Sequence, residues 1–145
     1  MLFGGEVSAF DAAFPHFLIS TGAAGLMLLM ASTVYVLLTP WKELSLVRSG
    51  NTAAGAALGG AIIGLAIPIS STLASSMTLP GLLIWGAIAL LMQLIAYRVA
   101  DLILRDIPGR IAKDEIGAAT VLAAAKLSAA LILAAGLWDP VLQRL

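Results

Sequence analysis

An uncharged apolar run at residues 51–69, NTAAGAALGGAIIGLAIPI, constrains this sequence most tightly. A helix on the surface of a water-soluble protein keeps a polar face, but this run has no charged residue on any face. A run of about 20 apolar residues is long enough to cross a hydrocarbon core of about 30 Å. The run therefore predicts a membrane-spanning helix.

The composition extends that prediction to the whole chain. Of the 145 residues, 61% are hydrophobic and 11% are charged, and the mean hydropathy is +1.04. Soluble domains contain roughly 45–50% apolar residues. The net charge of zero gives no basic surface for nucleic acid, and the lack of cysteine excludes disulfides and thiolate metal sites. We therefore expect an all-α membrane protein in a lipid bilayer, with no nucleic-acid partner.

Four segments have the length and composition of membrane spans. We predict them at residues 17–38, 52–69, 81–97 and 116–137, the third extending past the headgroups to 104. Pro40 is expected to end the first helix, because the residue before a proline avoids the α region. Pro68 is expected to break the second helix near its end, since proline has no N–H for the backbone ladder.

The segments beside these spans are polar or mixed. Residues 1–13 are predicted to be an interfacial segment or a tail. After Pro68 we expect a solvated external loop; the alternative is a polar mouth, where irregular backbone is tolerated at membrane depth. The hydroxyl side chains of this stretch are those of Ser70, Ser71, Thr72, Ser75 and Ser76.

Lys and Arg concentrate in two hairpins. They are Lys42 and Arg48 in the first, and Arg98, Arg105, Arg110 and Lys113 around the second. Cytoplasmic loops of membrane proteins carry an excess of Lys and Arg. We therefore predict that both charged hairpins face the cytoplasm and that both chain ends lie outside.

Three of the charges at the second hairpin are placed on one helical face. Arg98, Asp101 and Arg105 are three and four residues apart. That spacing predicts an ion-pair stripe at the end of the third helix.

The sequence also resembles itself in two halves. Residues 51–65 align with residues 115–129, so that small residues match, as Gly64 does with Ser128. We predict two similar helical hairpins, residues 17–69 and 81–137, within a single membrane domain of residues 1–145. Because each half crosses and returns, an axis along the membrane normal would relate them as a parallel repeat.

The order TPWKELSLVRSGNTAAGAALGGAIIGLAIP is a charged hairpin, then Gly-Asn, then a small-residue helix that contains proline. With a degenerate second copy around IAKDEIGAATVLAAA, it resembles the YjfL-like bacterial inner-membrane family, domain of unknown function family 350. The resemblance covers about residues 18–137. It implies a bacterial inner membrane, paired membrane helices usually present in two copies, and no assigned function or catalytic residue.

The glycines of the second predicted helix recur at helical spacing. Gly55 with Gly59, and Gly60 with Gly64, leave strips of bare backbone where another helix can approach closely. We expect these strips to form the packing seam within the bundle. A dimerisation face is the alternative.

Lys126 is the most unusual residue of the predicted spans. Insertion scales assign about 2.5 to 3.5 kcal/mol to a lysine at the centre of a membrane helix. No acidic residue is predicted at its depth, and the polar candidates within the chain are Gln93, Ser32, Thr33 and Ser128.

Three explanations of Lys126 are open. It could snorkel, be neutralised by burial, or bond Gln93 and free carbonyls as interhelical glue. It could instead pair with an acidic residue of another subunit. The third explanation is a polar path for an anion or a proton.

No catalytic, cofactor or metal site is predicted. The sequence has no phosphate-binding glycine loop, no metal-ligand spacing, and no set of acid, base and nucleophile. His16 lies at a predicted interface, where a role as proton relay or ligand is the rarer alternative. We therefore do not expect an enzyme.

These features favour a structural or accessory subunit of a larger membrane assembly, with other membrane subunits as partners or itself as a homo-oligomer. Short loops, small-residue faces and an uncompensated Lys126 all suit packing against partners. The alternative is a small oligomeric channel or carrier with a polar path near Lys126, Gln93 and Pro68. Four short helices enclose little space for a solute, and selective transporters have more polar groups within the membrane.

Overall fold

Helices account for nearly all of the structure. The computed structural model describes residues 3–39, 41–76 and 78–138, and none of these residues lies in a β-strand. In this part of the chain one six-residue helix lies between the first and second long helices, and another lies between the third and fourth. The helices are α1 (Gly4–Leu38), α2 (Glu43–Arg48), α3 (Thr52–Ser75), α4 (Leu79–Ile103), α5 (Ile107–Ala112) and α6 (Ile116–Gly136).

The four long helices are the membrane-capable elements of this part of the chain. By length and composition, α1, α3, α4 and α6 are each able to cross a bilayer. Their outward faces carry large apolar side chains such as Leu29, Ile84 and Ile132. In lipid such side chains are already in an apolar solvent. The prediction of an all-α protein with four such helices is confirmed.

The first helix is longer than predicted. It begins at Gly4 rather than near residue 17, so the separate interfacial segment expected over residues 1–13 is wrong from Gly4 onward. Its 35 residues span about 52 Å at 1.5 Å per residue. The rings of Phe10 and Phe14 stack at 4.8 Å along one face, which favours continuing the helix through this region.

The third helix continues through Pro68 to Ser75, so the predicted helix break at Pro68 and the predicted end near Ile69 are wrong. The segment with the serines is therefore helical as far as Ser75, and not an external loop. Pro68 removes one backbone hydrogen bond, but both it and Thr72 are buried against the bundle. The Thr72 hydroxyl donates to the Pro68 carbonyl at 2.9 Å, which supports the next turn.

The centre of the bundle is the contact between α3 and α6. Small residues allow the close approach: Ala53, Ala54 and Ala57 of α3 pack with Ala118 and Ala119 of α6. A second cluster joins α1, α3 and α4. It consists of Ala24, Ala31, Tyr35, Ala61, Leu65, Ile69, Leu90 and Tyr97.

The two charged hairpins touch each other, so they lie at one end of the bundle. Asn51 caps α3 by accepting from the Ala54 N–H at 2.6 Å, and its amide donates to the carbonyl of Ile111 at 2.9 Å. Asp114 accepts from the Ala53 N–H at 2.8 Å, so the second hairpin also caps α3. The start of α3 is thus held by both hairpins.

Candidate functional site

Lys126 lies in the middle of α6 and has no exposed surface. It stands ten residues after Ile116, about 15 Å along the axis from the charged end of the bundle. Side chains of an α-helix tilt toward its N-terminus. The lysine therefore reaches back from the membrane interior toward the end that carries the charged hairpins.

The Lys126 ammonium meets side chains from α1 and α4. Its Nζ donates a 2.8 Å hydrogen bond to the Tyr35 hydroxyl and lies 3.3 Å from Asp101 Oδ1. It also sits 4.6 Å from the centre of the Tyr35 ring and 5.0 Å from that of Tyr97. The ion pair and the two ring faces together offset the cost of burying the charge.

Glu43 is the second acid of this cluster. It is the first residue of α2, and 1% of its surface is exposed. Neither carboxylate oxygen accepts a hydrogen bond from any residue that the structure describes. Burial raises the pKa of the Glu43 carboxyl; the Tyr35 hydroxyl and Lys126 act in the opposite direction, and Asp101 raises it further. The carboxyl is therefore poised toward its neutral form.

A row of polar side chains on one face of α4 extends from the cluster into the bundle. Gln93, Tyr97 and Asp101 follow at intervals of four residues, so they lie on one helical face over about 12 Å. Gln93 donates to the Lys126 carbonyl at 3.1 Å. Its own side-chain oxygen is buried and has no hydrogen-bond partner among the described residues. The polar stripe thus ends at Gln93, deep in the bundle.

An open groove reaches the cluster from the charged end. Its lining residues are Trp41, Asp101, Leu102, Arg105 and Pro108. The Asp101 side chain is 14% exposed, whereas that of Lys126 is fully buried. Asp101 therefore connects the groove to the buried lysine.

Beyond Gln93 the interface between α1, α3 and α4 is mainly apolar, and the hydroxyls of the buried Ser20 and Thr72 bond within their own helices. Leu65, Ile69 and Leu90 fill it, and the Met27 side chain lies where a Cβ on Gly86 would stand. The polar stripe is consequently closed toward the other end of the bundle.

The structure corrects two expectations about the charged residues. The expectation that no acid lies at the depth of Lys126 is wrong, because the lysine side chain reaches down to Asp101. The predicted stripe of Arg98, Asp101 and Arg105 is also wrong. Arg98 donates to the Leu38 carbonyl and Arg105 to the Leu102 carbonyl, and neither forms an ion pair in the described part of the chain.

The four glycines of α3 divide into two kinds. A Cβ on Gly60 would lie 2.6 Å from the Ala123 Cβ, and one on Gly64 would meet the Tyr97 hydroxyl. Gly60 and Gly64 therefore lie on the internal seam, as expected. Gly55 and Gly59 have no atom within 4 Å of the Cβ position, so the expected seam does not include them.

The single histidine of the sequence stands apart from this cluster. His16 Nε2 lies 3.5 Å from the Ser20 hydroxyl on α1. Among the residues that the structure describes, no group of three His, Cys, Asp or Glu side chains is arranged to hold a metal ion.

The sequence pattern does not single out Glu43 and Tyr35 as site residues. Glu43 looks like an ordinary charge of a cytoplasmic hairpin, and Tyr35 like an interfacial aromatic residue. The available signal was the direction of the Lys126 side chain, which points toward the hairpins that carry acids.

A family profile covers this whole cluster. The profile described as Domain of Unknown Function (DUF350) matches residues 9–137. The chain belongs to this family. The matched region of this DUF350 protein contains Tyr35, Glu43, Asp101 and Lys126.

Two relatives from Escherichia coli share one name. The UPF0719 inner membrane protein YjfL of Escherichia coli strain K12 is 29% identical over 109 residues, which are 75% of this chain and 83% of the relative. The protein of that name from Escherichia coli O157:H7 matches with the same values. No solved structure matches significantly. With its four membrane-capable helices, the DUF350 chain is a multi-pass integral protein of the inner membrane.

Proposed function

We propose that this protein is a membrane carrier or channel for a small cation, and that Lys126, Asp101 and Glu43 form its binding site. The observation that supports the proposal is the meeting of these three ionisable side chains, from three helices, in the buried part of the bundle. If all three are ionised, two negative charges face one positive charge. The site then has a net charge that a monovalent cation would balance.

A purely structural role explains this cluster less well. Replacing a buried ion pair by apolar residues is often neutral or stabilising. Stability alone therefore does not explain why the pair is present. Ionisable side chains within membrane segments are rare and commonly mark ion and proton paths. The polar face from Asp101 to Gln93 and the groove beside Asp101 provide the access that a carrier needs on one side.

The apolar region beyond Gln93 defines what such a carrier must do. A cation bound at the cluster communicates with the charged end only, because Leu65, Ile69 and Leu90 close the other side. Transport would therefore require α1 or α4 to move against α3. This conformation would be the one open toward the charged hairpins.

The experiment is ion flux into liposomes that contain the purified protein. Gradients of protons, sodium and potassium are imposed in turn, and the protein should dissipate at least one of them. Lys126→Met and Asp101→Asn should abolish this flux. Ile62→Met is the matched control, because Ile62 aligns with Lys126 in the other half and is 37% exposed. A folded protein that dissipates none of the gradients would refute the proposal.

A structural or accessory subunit is the second candidate. Two observations favour it: the Gly55 and Gly59 strip has free space beside it, and the first turns of α1 carry exposed phenylalanines. The argument from an uncompensated Lys126 no longer applies, since its acid lies in the same chain. Gentle detergent extraction followed by mass analysis separates the candidates, because stoichiometric foreign subunits would favour an accessory role over a homo-oligomer.

We also propose that the chain is a parallel duplication of residues 17–69 and 81–137. Adding 64 to the bounds of α2 gives those of α5, and adding 64 to the first residue of α3 gives that of α6. The same offset separates Asn51 and Glu115. The same offset relates Gly50 and Asp114, whose φ angles of 90° and 62° are both positive. Two matched turns of this kind support a common origin of the halves.

For orientation we propose that both chain ends lie outside. The shared end of the two hairpins carries most of the Lys and Arg residues, and such loops stay in the cytoplasm. The groove at Asp101 would then open to the cytoplasm. A reporter fused after Leu145 should be active outside the inner membrane, and cytoplasmic activity would reverse the orientation.

A further inference from the structure

We propose that the cation of this site is a proton, and that it resides on the Glu43 carboxyl and exchanges with water through the groove beside Asp101. This inference rests on the proposed function, but it concerns the occupant of the site and is tested without any transport measurement.

The charge balance within the cluster singles out Glu43. Lys126 lies 3.3 Å from Asp101, so these two charges compensate each other. Glu43 then remains as a buried acid, with the Tyr35 hydroxyl of α1, Asp101 of α4 and Lys126 of α6 as the titratable groups that act on it. An ionised carboxylate without compensation is costly to bury. Adding one proton removes that charge.

The hydrogen-bond pattern is consistent with a neutral carboxyl. An ionised carboxylate offers about four acceptor sites and normally accepts several hydrogen bonds. Among the described residues no donor meets the usual distance and angle for either oxygen of Glu43, although the group is 1% exposed; the Tyr35 hydroxyl is near enough to favour the carboxylate, but burial acts more strongly. A protonated carboxyl has a smaller requirement for donors, and desolvation by burial favours that form.

A metal ion fits the same place poorly. Calcium takes six to eight oxygen ligands and magnesium demands an octahedral set. Here the ammonium of Lys126 already occupies the space between Tyr35 and Asp101. A second cation in that space would face a positive charge at short range. A proton needs only one oxygen and does not displace the lysine.

The groove beside Asp101 begins next to Glu43 along the chain. Trp41, two residues before Glu43, lines the groove together with Asp101. Release converts the Glu43 carboxyl to a carboxylate and delivers one proton to water in this groove. Uptake is the reverse, and no other bond forms or breaks.

Infrared spectroscopy with isotope-edited protein tests this assignment. At pH 7 exposed carboxyls are ionised, so a carbonyl stretch of a protonated carboxyl reports a buried acid. We expect such a band in the full chain reconstituted in lipid. Carbon-13 labelling of glutamate alone should shift it, whereas labelling of aspartate should not. The candidate glutamates are few: Glu6, Glu43 and Glu115.

Substitutions show which of these glutamates gives the carbonyl band. Glu43→Gln should remove it. Asp101→Asn should weaken it, because Lys126 then has only Glu43 as an acidic partner and favours the carboxylate. Glu115→Gln is the matched control, because Glu115 is a partly exposed glutamate paired with Arg110. If Glu43→Gln does not fold, the labelling experiment on the unaltered chain still decides the case.

The outcomes separate this inference from the proposed function. Absence of the band, or a shift with labelled aspartate, would overturn the assignment to Glu43 even if cations cross the liposomes. A band that shifts with labelled glutamate and disappears in Glu43→Gln would support it even if no flux is measured, and the proposal of transport alone would then fail.

Discussion

The hydroxyl of Tyr97 occupies the space that a side chain on Gly64 would need, and it donates a 2.7 Å hydrogen bond to the carbonyl of Ala61. Tyr97 is 1% exposed, and its ring stands edge-on to that of Tyr35 with 5.6 Å between the centres. Both rings face the ammonium of Lys126. A glycine of α3 therefore fixes the aromatic wall of the candidate site.

We expect Gly64→Ala to lower the free energy of unfolding by about 1–3 kcal/mol, the usual range for overpacking a core. The added methyl group would displace the Tyr97 hydroxyl from the Ala61 carbonyl. Tyr97→Phe should recover part of the loss in the double variant, because it removes the atom that clashes. Thermal unfolding in detergent measures all four proteins as a double-mutant cycle. Additive losses would contradict the contact.

The neighbouring glycines should behave in opposite ways. Gly60→Ala should destabilise the protein, because its Cβ would lie 3.2 Å from the Ala123 Cα and push α3 from α6. Gly59→Ala is the matched control with open space beside it. It should be neutral or stabilising by up to about 1 kcal/mol, since alanine is the better helix former. Equal melting temperatures for the two variants would rule out the seam at Gly60.

The sequence predicted the frame of this fold well, for physical reasons. Each of the four long helices contains an apolar run at least as long as a bilayer requires. The errors lie where local chemistry is ambiguous. A proline followed by serines is typical of a loop, but packing of Pro68 and Thr72 keeps that stretch helical. The sequence pattern alone does not reveal this packing between helices.

The candidate site was half predictable. A lysine within an apolar helix is conspicuous by composition, and this marks Lys126 as unusual. Its partners are not marked in this way, because Asp101 and Glu43 lie in charged segments that suit solvated hairpins equally well. Finding them required the direction and reach of the lysine side chain and the meeting of α1, α2, α4 and α6, which one sequence does not specify.

The contribution of the Lys126–Asp101 ion pair to stability should be measurable by a second double-mutant cycle. We expect Asp101→Asn to destabilise the protein by up to about 3–5 kcal/mol, the range for removing one partner of a buried pair. Lys126 would be left with the Tyr35 hydroxyl and Glu43. Adding Lys126→Met should restore part of the stability, because the uncompensated ammonium is then gone.

Chemical denaturation in detergent gives the coupling energy for this pair. Asp106→Asn is the matched control, because Asp106 is exposed and forms no side-chain cap. It should change stability by no more than about 0.5 kcal/mol. If Asp101→Asn is as mild as this control, the pair contributes nothing to the native state.

Stability should also depend on pH through Glu43. Burial raises the pKa of this carboxyl above its ordinary value of 4.5, so the folded protein holds the proton at pH values where the unfolded chain has lost it. Stability rises with pH only where the unfolded state binds more protons, and here the folded state binds more. The Tm should therefore fall as pH increases from about 4.5 through the raised pKa of Glu43. In Glu43→Gln this fall should be absent, while Glu115→Gln should retain it. A Tm that rises over the same interval would mean that Glu43 is stabilised as a carboxylate, with Lys126 shared between the two acids.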